Sequence, residues 1–354
     1  MTADAMRAPF GTAPDGSAVE AITLANGGGM AVRIITWGAS IQSVLAPDRD
    51  GRLADIAFGH ATLEPYLRQP QYLGATVGRV ANRIALGRFT LDGRAYQAPV
   101  NNAPNSLHGG ATGFDKVNWA IVEAGAASLT LRHVSPDGDQ GYPGTLTVTA
   151  TYALGDDDAL SVDYRATTDR TTIVNLSNHV YWNLAGDGAP EGAMGHLLTI
   201  PADHYLPTDD AAIPTGEIRA VDGTAFDFRR PTPIGARVRD ASDDQIRFGR
   251  GYDHNWIVAR EVAVEPRLLA RVEDPGSGRR LDVLSNQPGL QFYSGNFLDA
   301  TSVGKSGRLY RMGDGIALEP QMFPDTPNRP AFGSIRLEPG EVYRNLIVWR
   351  FSAR

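Results

Sequence analysis

Apolar and polar positions alternate along much of this chain with a period of two. Leu146, Val148, Ala150, Tyr152 and Leu154 are separated by Thr147, Thr149 and Thr151, and Leu160, Val162, Tyr164 and Ala166 by Ser161, Asp163 and Arg165. Successive side chains of a strand point to opposite faces, so each run reads as a strand with one dry and one wet face. Gly155-Asp156-Asp157-Asp158 between the runs predicts an antiparallel hairpin. The same reading applies to residues 89–97 around Asp92-Gly93, to residues 128–134, and to residues 334–351 folding back at Pro339-Gly340. Helical periodicity is scarce, and residues 61–67 are the best candidate.

Strand patterns recur from about Met30 to the C-terminus without a linker, a charge block or a shift in composition, so residues 1–354 read as one domain. The 39 glycines and 23 prolines follow no period, which suits many short strands joined by tight turns. No blade-length repeat is present. The pattern predicts an all-β fold, a large antiparallel β-sandwich with few short helices. Two aperiodic segments, 185–195 and 207–251, interrupt the strands, and loops of such length in a compact domain are often functional.

Charge narrows the partners. A formal net charge of -7 leaves no broad basic face for nucleic acid, and a small neutral ligand fits better. The chain has no cysteine, which removes disulfide frameworks, thiolate metal sites and cysteine nucleophiles. No stretch of about 18 apolar residues occurs, and the first residues lack a basic segment followed by an apolar run, so the chain reads as cytoplasmic with no membrane partner.

Polar clusters stand where strands should be apolar. Gly78–Ile84 reads GRVANRI, 105–110 reads NSLHGG, 175–186 reads NLSNHVYWNLAG and 251–256 reads GYDHNW. Planar polar groups beside aromatic rings suit a sugar, whose hydroxyls take forked hydrogen bonds and whose C–H faces lie on rings. Taken singly, His179, His108, Asp253 and Arg83 have ordinary readings as a core histidine, turn residues and a surface ion pair, and Trp182 and Trp256 as core. Glu319 does not. It follows Ile316-Ala317-Leu318, where burial is expected, and a buried unpaired carboxylate costs too much to keep without a use. Pro320, Pro324 and Pro327 should then send the chain away as an ordered loop that limits the freedom of Glu319.

Other chemistries find little support. Val303-Gly304-Lys305-Ser306 looks like the end of a phosphate-binding loop, but the first glycine of that motif would fall on Asp299. The histidines show no zinc-site spacing, so a metal centre could arise only by convergence of distant residues. Neither a serine-hydrolase elbow nor a dinucleotide fingerprint is present.

In order, GRVANRI, NSLHGG, NHVYWNLAG, GYDHNW, GLQFYSGNFLD and LEPQMFPDTPN resemble the aldose 1-epimerase (galactose mutarotase) family over nearly the whole chain. The resemblance implies a single β-sandwich, no metal or organic cofactor, and interconversion of the α and β anomers of free aldoses. It implies Glu319 as catalytic base, His179 as catalytic acid and His108 as a second active-site histidine near the reacting end of the sugar. Asn82, Arg83, Asp253 and Gln291 match positions that hold sugar hydroxyls, with Trp182 added as an aromatic partner. Pro320 stands where members commonly carry threonine, and Met322 also departs from the family pattern, which bears on the wall beside the base and on sugar preference.

Changing anomer requires ring opening, rotation about C1–C2 and closure. Opening takes a proton from the C1 hydroxyl and gives one to the ring oxygen, so an acid and a base are needed together. Competing readings are a glycoside hydrolase using Asp253 and Glu319, a hexose-6-phosphate epimerase, and a non-catalytic sugar-binding protein with Trp182 and Trp256 as stacking platforms. The expected partner is a free monosaccharide, and the expected assembly a monomer or weak dimer.

Overall fold

The computed structural model describes residues 6–68 and 71–354. Its largest sheet has nine strands, in the spatial order Ala120–Ala124, Ser128–Ser135, Leu146–Leu154, Ala159–Thr168, Tyr343–Ala353, Arg279–Ser285, Arg267–Glu273, Leu197–Thr199 and Thr232–Pro233. A six-stranded sheet runs Tyr181–Trp182, Ile316–Gln321, Gly289–Tyr293, Asp253–Ile257, His204–Leu206 and Arg219–Ala220. Five further strands between Met6 and Asp55 pair in sequence order. Every ladder within these three sheets is antiparallel.

Alternation decides what packs. The dry face of the nine-stranded sheet, with Leu131, Val148, Tyr152, Val162, Tyr164, Val283 and Trp349, shares one core cluster with Ile22, Val32 and Val44 of the five-stranded sheet. The same cluster takes in Trp256, Leu290, Phe292 and Leu318 of the six-stranded sheet. Two smaller sheets thus cover one face of the large one, which is the expected antiparallel sandwich. No helix among the described residues is long and apolar enough to cross a membrane.

The hairpin around Gly155–Asp158 forms in the expected register, Leu146 opposite Thr168 and Leu154 opposite Leu160. Residues 89–97 also fold as predicted, and the short helix lies at Leu63–Arg68. The turn at Pro339-Gly340 does not make a hairpin. Arg336–Leu337 pairs with Thr172–Ile173, while Tyr343–Ala353 goes to the nine-stranded sheet, because its alternating residues Asn345, Ile347, Trp349 and Phe351 belong to that dry face. Nor does Pro320 end its strand, which continues to Gln321. Past Ala317 the neighbour Tyr181–Trp182 has ended, and the side chains of Ser177 and Asn345 instead donate to the Pro320 carbonyl at 2.9 and 3.0 Å. A proline is tolerated where one side of the ladder is already open.

Trp182 is not at a ligand face. Its register partner is Ile316, on the core side, and the ring lies 5.9 Å from Trp349 and 5.6 Å from Phe351 with no exposed surface. Trp256 is equally buried, and its indole N–H donates to Phe226 O at 3.0 Å. Both are core residues, which removes the stacking platforms of the sugar-binding alternative. Accordingly, Trp182→Ala should lower unfolding stability by about 3–5 kcal/mol in urea titrations, while the milder Trp182→Phe protein keeps its KM for sugar.

Candidate active site

On the six-stranded sheet the parity that buries the tryptophans turns their neighbours the other way. Tyr181 pairs with Ala317, Ala317 with Tyr293, and Tyr293 with Asp253. One step along, Glu319 pairs with Gln291. Paired residues share a face, so Tyr181, Tyr293, Asp253, Gln291 and Glu319 all stand opposite the core side. All but Gln291 line a cavity of about 450 Å³, together with Tyr72, Asn82, Arg83, Asn102, His108, His179 and Phe297.

Segments outside the sheet close this cavity. His179, two residues before Tyr181 in NHVYW, is held by its own N–H on Ala75 O at 2.8 Å and by its carbonyl accepting from Gly74 N at 3.1 Å. Arg83–Ile84 and Ser106–Leu107 pair across a two-strand ladder, with Asn82 and His108 just beyond its end. Behind His108, Gly109 has φ +91°, and a Cβ there would lie 1.9 Å from Gly78 O, so no larger residue fits. Segment 207–251, which holds two short strands and the helix Asp244–Gly249, contributes Asp210, Ala211, Ala212, Phe248 and Gly249, giving that long aperiodic stretch a place at the mouth.

His179 Nε2 lies 3.7 Å from Glu319 Oε1. Both side chains are buried, and Glu319 Oε2 and His179 Nδ1 have no hydrogen-bond partner in the protein. Burial raises the Glu319 pKa well above the usual carboxylate value, with the Asp253 charge adding to the rise. Burial also pushes His179 down to about 4. Burial thus favours the uncharged arrangement, a carboxylic acid beside a neutral imidazole, over the ion pair. Expected roles of carboxylate base and imidazolium acid describe the other tautomer of the same one-proton pair. Sugar hydroxyls donating to Oε2 would stabilise that charged tautomer.

Asp253 is engaged on both oxygens. Oδ1 accepts from Gln291 Nε2 at 2.8 Å and Oδ2 lies 3.5 Å from Arg83 Nη1, while Arg83 Nε donates to Asn102 Oδ1 at 3.1 Å. Gln291 stands behind the cavity wall and orients Asp253, with its own Oε1 unpartnered. Asn82, Arg83, Asp253, His108, His179 and Glu319 are thus brought together as anticipated, and Trp182 is not. Tyr72, Tyr181 and Tyr293 were missed as site residues. Their rings surround His179 at 5.6, 5.0 and 6.4 Å. Parity within YW and FY could have found the latter two, since each lies an even step from His179 or Gln291.

His108, His179 and Glu319 each offer a ligand atom within 4.8 Å of the others, spacing that a three-ligand metal site could use. The wiring of His108 is wrong for it. Metal-bound imidazoles donate their second N–H outward, whereas His108 Nδ1 accepts the Asn82 N–H at 3.2 Å. The phosphate-loop-like stretch is also explained, because Lys305 Nζ is buried on Asp55 at 2.7 Å and on Ala57 O at 2.8 Å.

Comparison with known proteins agrees with this geometry. The family model described as aldose 1-epimerase matches residues 20–349. Rat galactose mutarotase is 47% identical over 347 residues, 98% of each chain, and the aldose 1-epimerase of Escherichia coli 40% identical over 343 residues, covering 96% of this chain and 97% of that one. The crystal structure of galactose 1-epimerase from Lactobacillus acidophilus superposes with a TM-score of 0.86 at 31% identity, over 99% of each chain. With its sandwich matched and nearly its whole length covered, the chain belongs to the aldose 1-epimerase family.

Proposed function

We propose that this chain interconverts the α and β anomers of free aldoses through Glu319 and His179, working as one proton-sharing pair. The observation that carries the assignment is the 3.7 Å approach of two buried groups, each with an unpartnered polar atom, at a cavity sized for a small ligand. Glu319 takes the proton of the C1 hydroxyl as His179 gives one to the ring oxygen, the ring opens, the C1–C2 bond rotates, and the reverse transfers close the other face. Protons balance, and no covalent intermediate forms. Asp253, held by Gln291 and Arg83, with Arg83 and Asn82, offers acceptors and donors for the remaining hydroxyls.

Hydrolase chemistry is disfavoured because Asp253 is already occupied on both oxygens, leaving Glu319 with a histidine as its near partner. A phosphorylated sugar is disfavoured by charge. Besides Glu319, the two histidines and the tyrosines, the ionisable side chains lining the cavity are the acids Asp210, Asp253 and Asp299 and the single guanidinium of Arg83, which faces Asp253. The cytoplasmic setting, the single-domain reading of residues 1–354 and the monomer or weak dimer form part of the same proposal.

Glu319→Gln and His179→Gln should each lower kcat for anomer interconversion about 10²–10⁴-fold in a polarimeter; rates near the unmodified protein's would remove the pair from the mechanism. Its proton count sets the pH profile. Acid adds a second proton only near the depressed His179 value of about 4, and alkali strips the shared proton only above the raised Glu319 value. Hence kcat/KM should pass through about pH 6.5 without the limb that an ordinary histidine would give, and fall on the acid side only near about 4. Against a hexose, its 6-phosphate should show kcat/KM lower by about tenfold or more, a gap that Asp210→Asn with Asp299→Asn narrows.

A further inference from the structure

Five histidines are buried, and four have a ring nitrogen fixed by the main chain. His60 Nδ1 meets Val303 O at 2.8 Å, His196 Nε2 accepts from Leu184 N at 3.0 Å, and His254 Nδ1 accepts from Asp253 N at 3.1 Å. His108 Nδ1 accepts from Asn82 N at 3.2 Å. His179 is the exception, which suits a ring that must gain and lose a proton.

The clamp on His108 is reciprocal. While Asn82 N–H points at the ring, the His108 N–H donates to Asn82 O at 3.0 Å. Both residues are left-handed, at φ +59° for Asn82 and +50° for His108, and Tyr72, whose ring lies 4.6 Å from that of His108, is a third at +54°. Asparagine accepts this region more readily than most residues, yet each such position costs on the order of 1 kcal/mol and survives only where its surroundings impose it. Asn82 Oδ1 accepts from Arg83 N at 2.8 Å, steadying the twist. A nitrogen that accepts an amide N–H cannot itself carry hydrogen, so the neutral ring is protonated on Nε2. A second proton would set Nδ1–H against Asn82 N–H. Burial, His179, Arg83 and Lys116 also oppose charge on this ring, and Tyr72 packs on it without offering an acceptor charge.

We infer that Asn82 is a positioning residue: its left-handed main chain aims its N–H at His108 Nδ1 and leaves Nε2–H as a permanent neutral donor into the cavity. Resting on the function proposed above, this makes His108 the group that holds the sugar oxygen on which charge develops, without exchanging protons. It divides the two active-site histidines into a fixed donor and a proton carrier.

Imidazole ¹⁵N spectra of the full chain test the first half. His108 should show the Nε2–H tautomer with no titration across the range where an ordinary imidazole changes charge, about pH 6 to pH 7. Asn82→Gly, which keeps the amide and the left-handed turn, should preserve that pattern, and Asn82→Val, whose branched side chain resists positive φ, should lose it. Titration of His108 in this range, or an Nδ1–H pattern, overturns the inference. Kinetics test the second half. His108→Gln retains a neutral N–H donor and should keep kcat within about tenfold, whereas His108→Phe should lose about 10²–10³; equal losses would mark a proton-transfer role and overturn it. If His108 titrates while Glu319→Gln and His179→Gln remain inactive, this inference alone fails. If those variants keep full rates, the catalytic pair fails and the tautomer result stands by itself.

Discussion

The half of this site that carries Glu319 and Asp253 depends on strand parity in one sheet. Ile316, Leu318 and Trp256 on one side of the six-stranded sheet are core, and Glu319, Tyr293 and Asp253 on the other are site. A slip of one residue would bury the carboxylate in hydrocarbon and expose the tryptophans, so the hydrophobic effect that fixes the register also aims the chemistry. The base needs no flexible loop to deliver it. Its freedom is set by a ladder and by the Ser177 and Asn345 bonds to the next carbonyl.

Burial then decides the electrostatics. A carboxylate and an imidazole side by side could rest as an ion pair or as two neutral groups, and removal of water favours the neutral form. That preference is useful to an enzyme that must run in both directions. Under the proposed mechanism, ring opening and ring closing use the same two groups with roles exchanged, and a pair whose tautomers are separated only by where one proton sits serves both without bulk exchange. In that proposal the sugar supplies the hydrogen bonds that Glu319 Oε2 lacks within the protein.

Much of this was legible in the sequence. Alternation pointed to the sandwich and its longest hairpin, and the ordered motifs pointed to Glu319, His179, His108, Asn82, Arg83 and Asp253, which the fold brings around one cavity, and to Gln291 behind its wall. What failed did so for physical reasons. Trp182 was taken for a ligand platform because aromatic rings suit sugars, but in NHVYW the step from His179 to Tyr181 is two and to Trp182 is three, so the tyrosine shares the histidine's face. Pro339-Gly340 marks a turn correctly, yet a turn does not say which sheets its flanking strands join. Tyr72 and the Asn82–His108 clamp left no pattern, because left-handed backbone at residues other than glycine is imposed by tertiary contacts.

Stability and function are thereby divided between elements. The sheets bury alternate residues and gain by it, while the short segments carrying Tyr72, Asn82 and His108 adopt conformations that local preference opposes. Such segments persist because they are braced from outside: Gly109 packs on the Gly78 carbonyl, and Asn105 Nδ2 reaches Ala211 O at 2.9 Å to join this wall to the long loop at the mouth. Strain placed there raises no barrier to forming the core, whose register is set elsewhere. It instead fixes the direction of single N–H groups, which is what distinguishes a donor histidine from a proton-carrying one when both are buried within the same cavity.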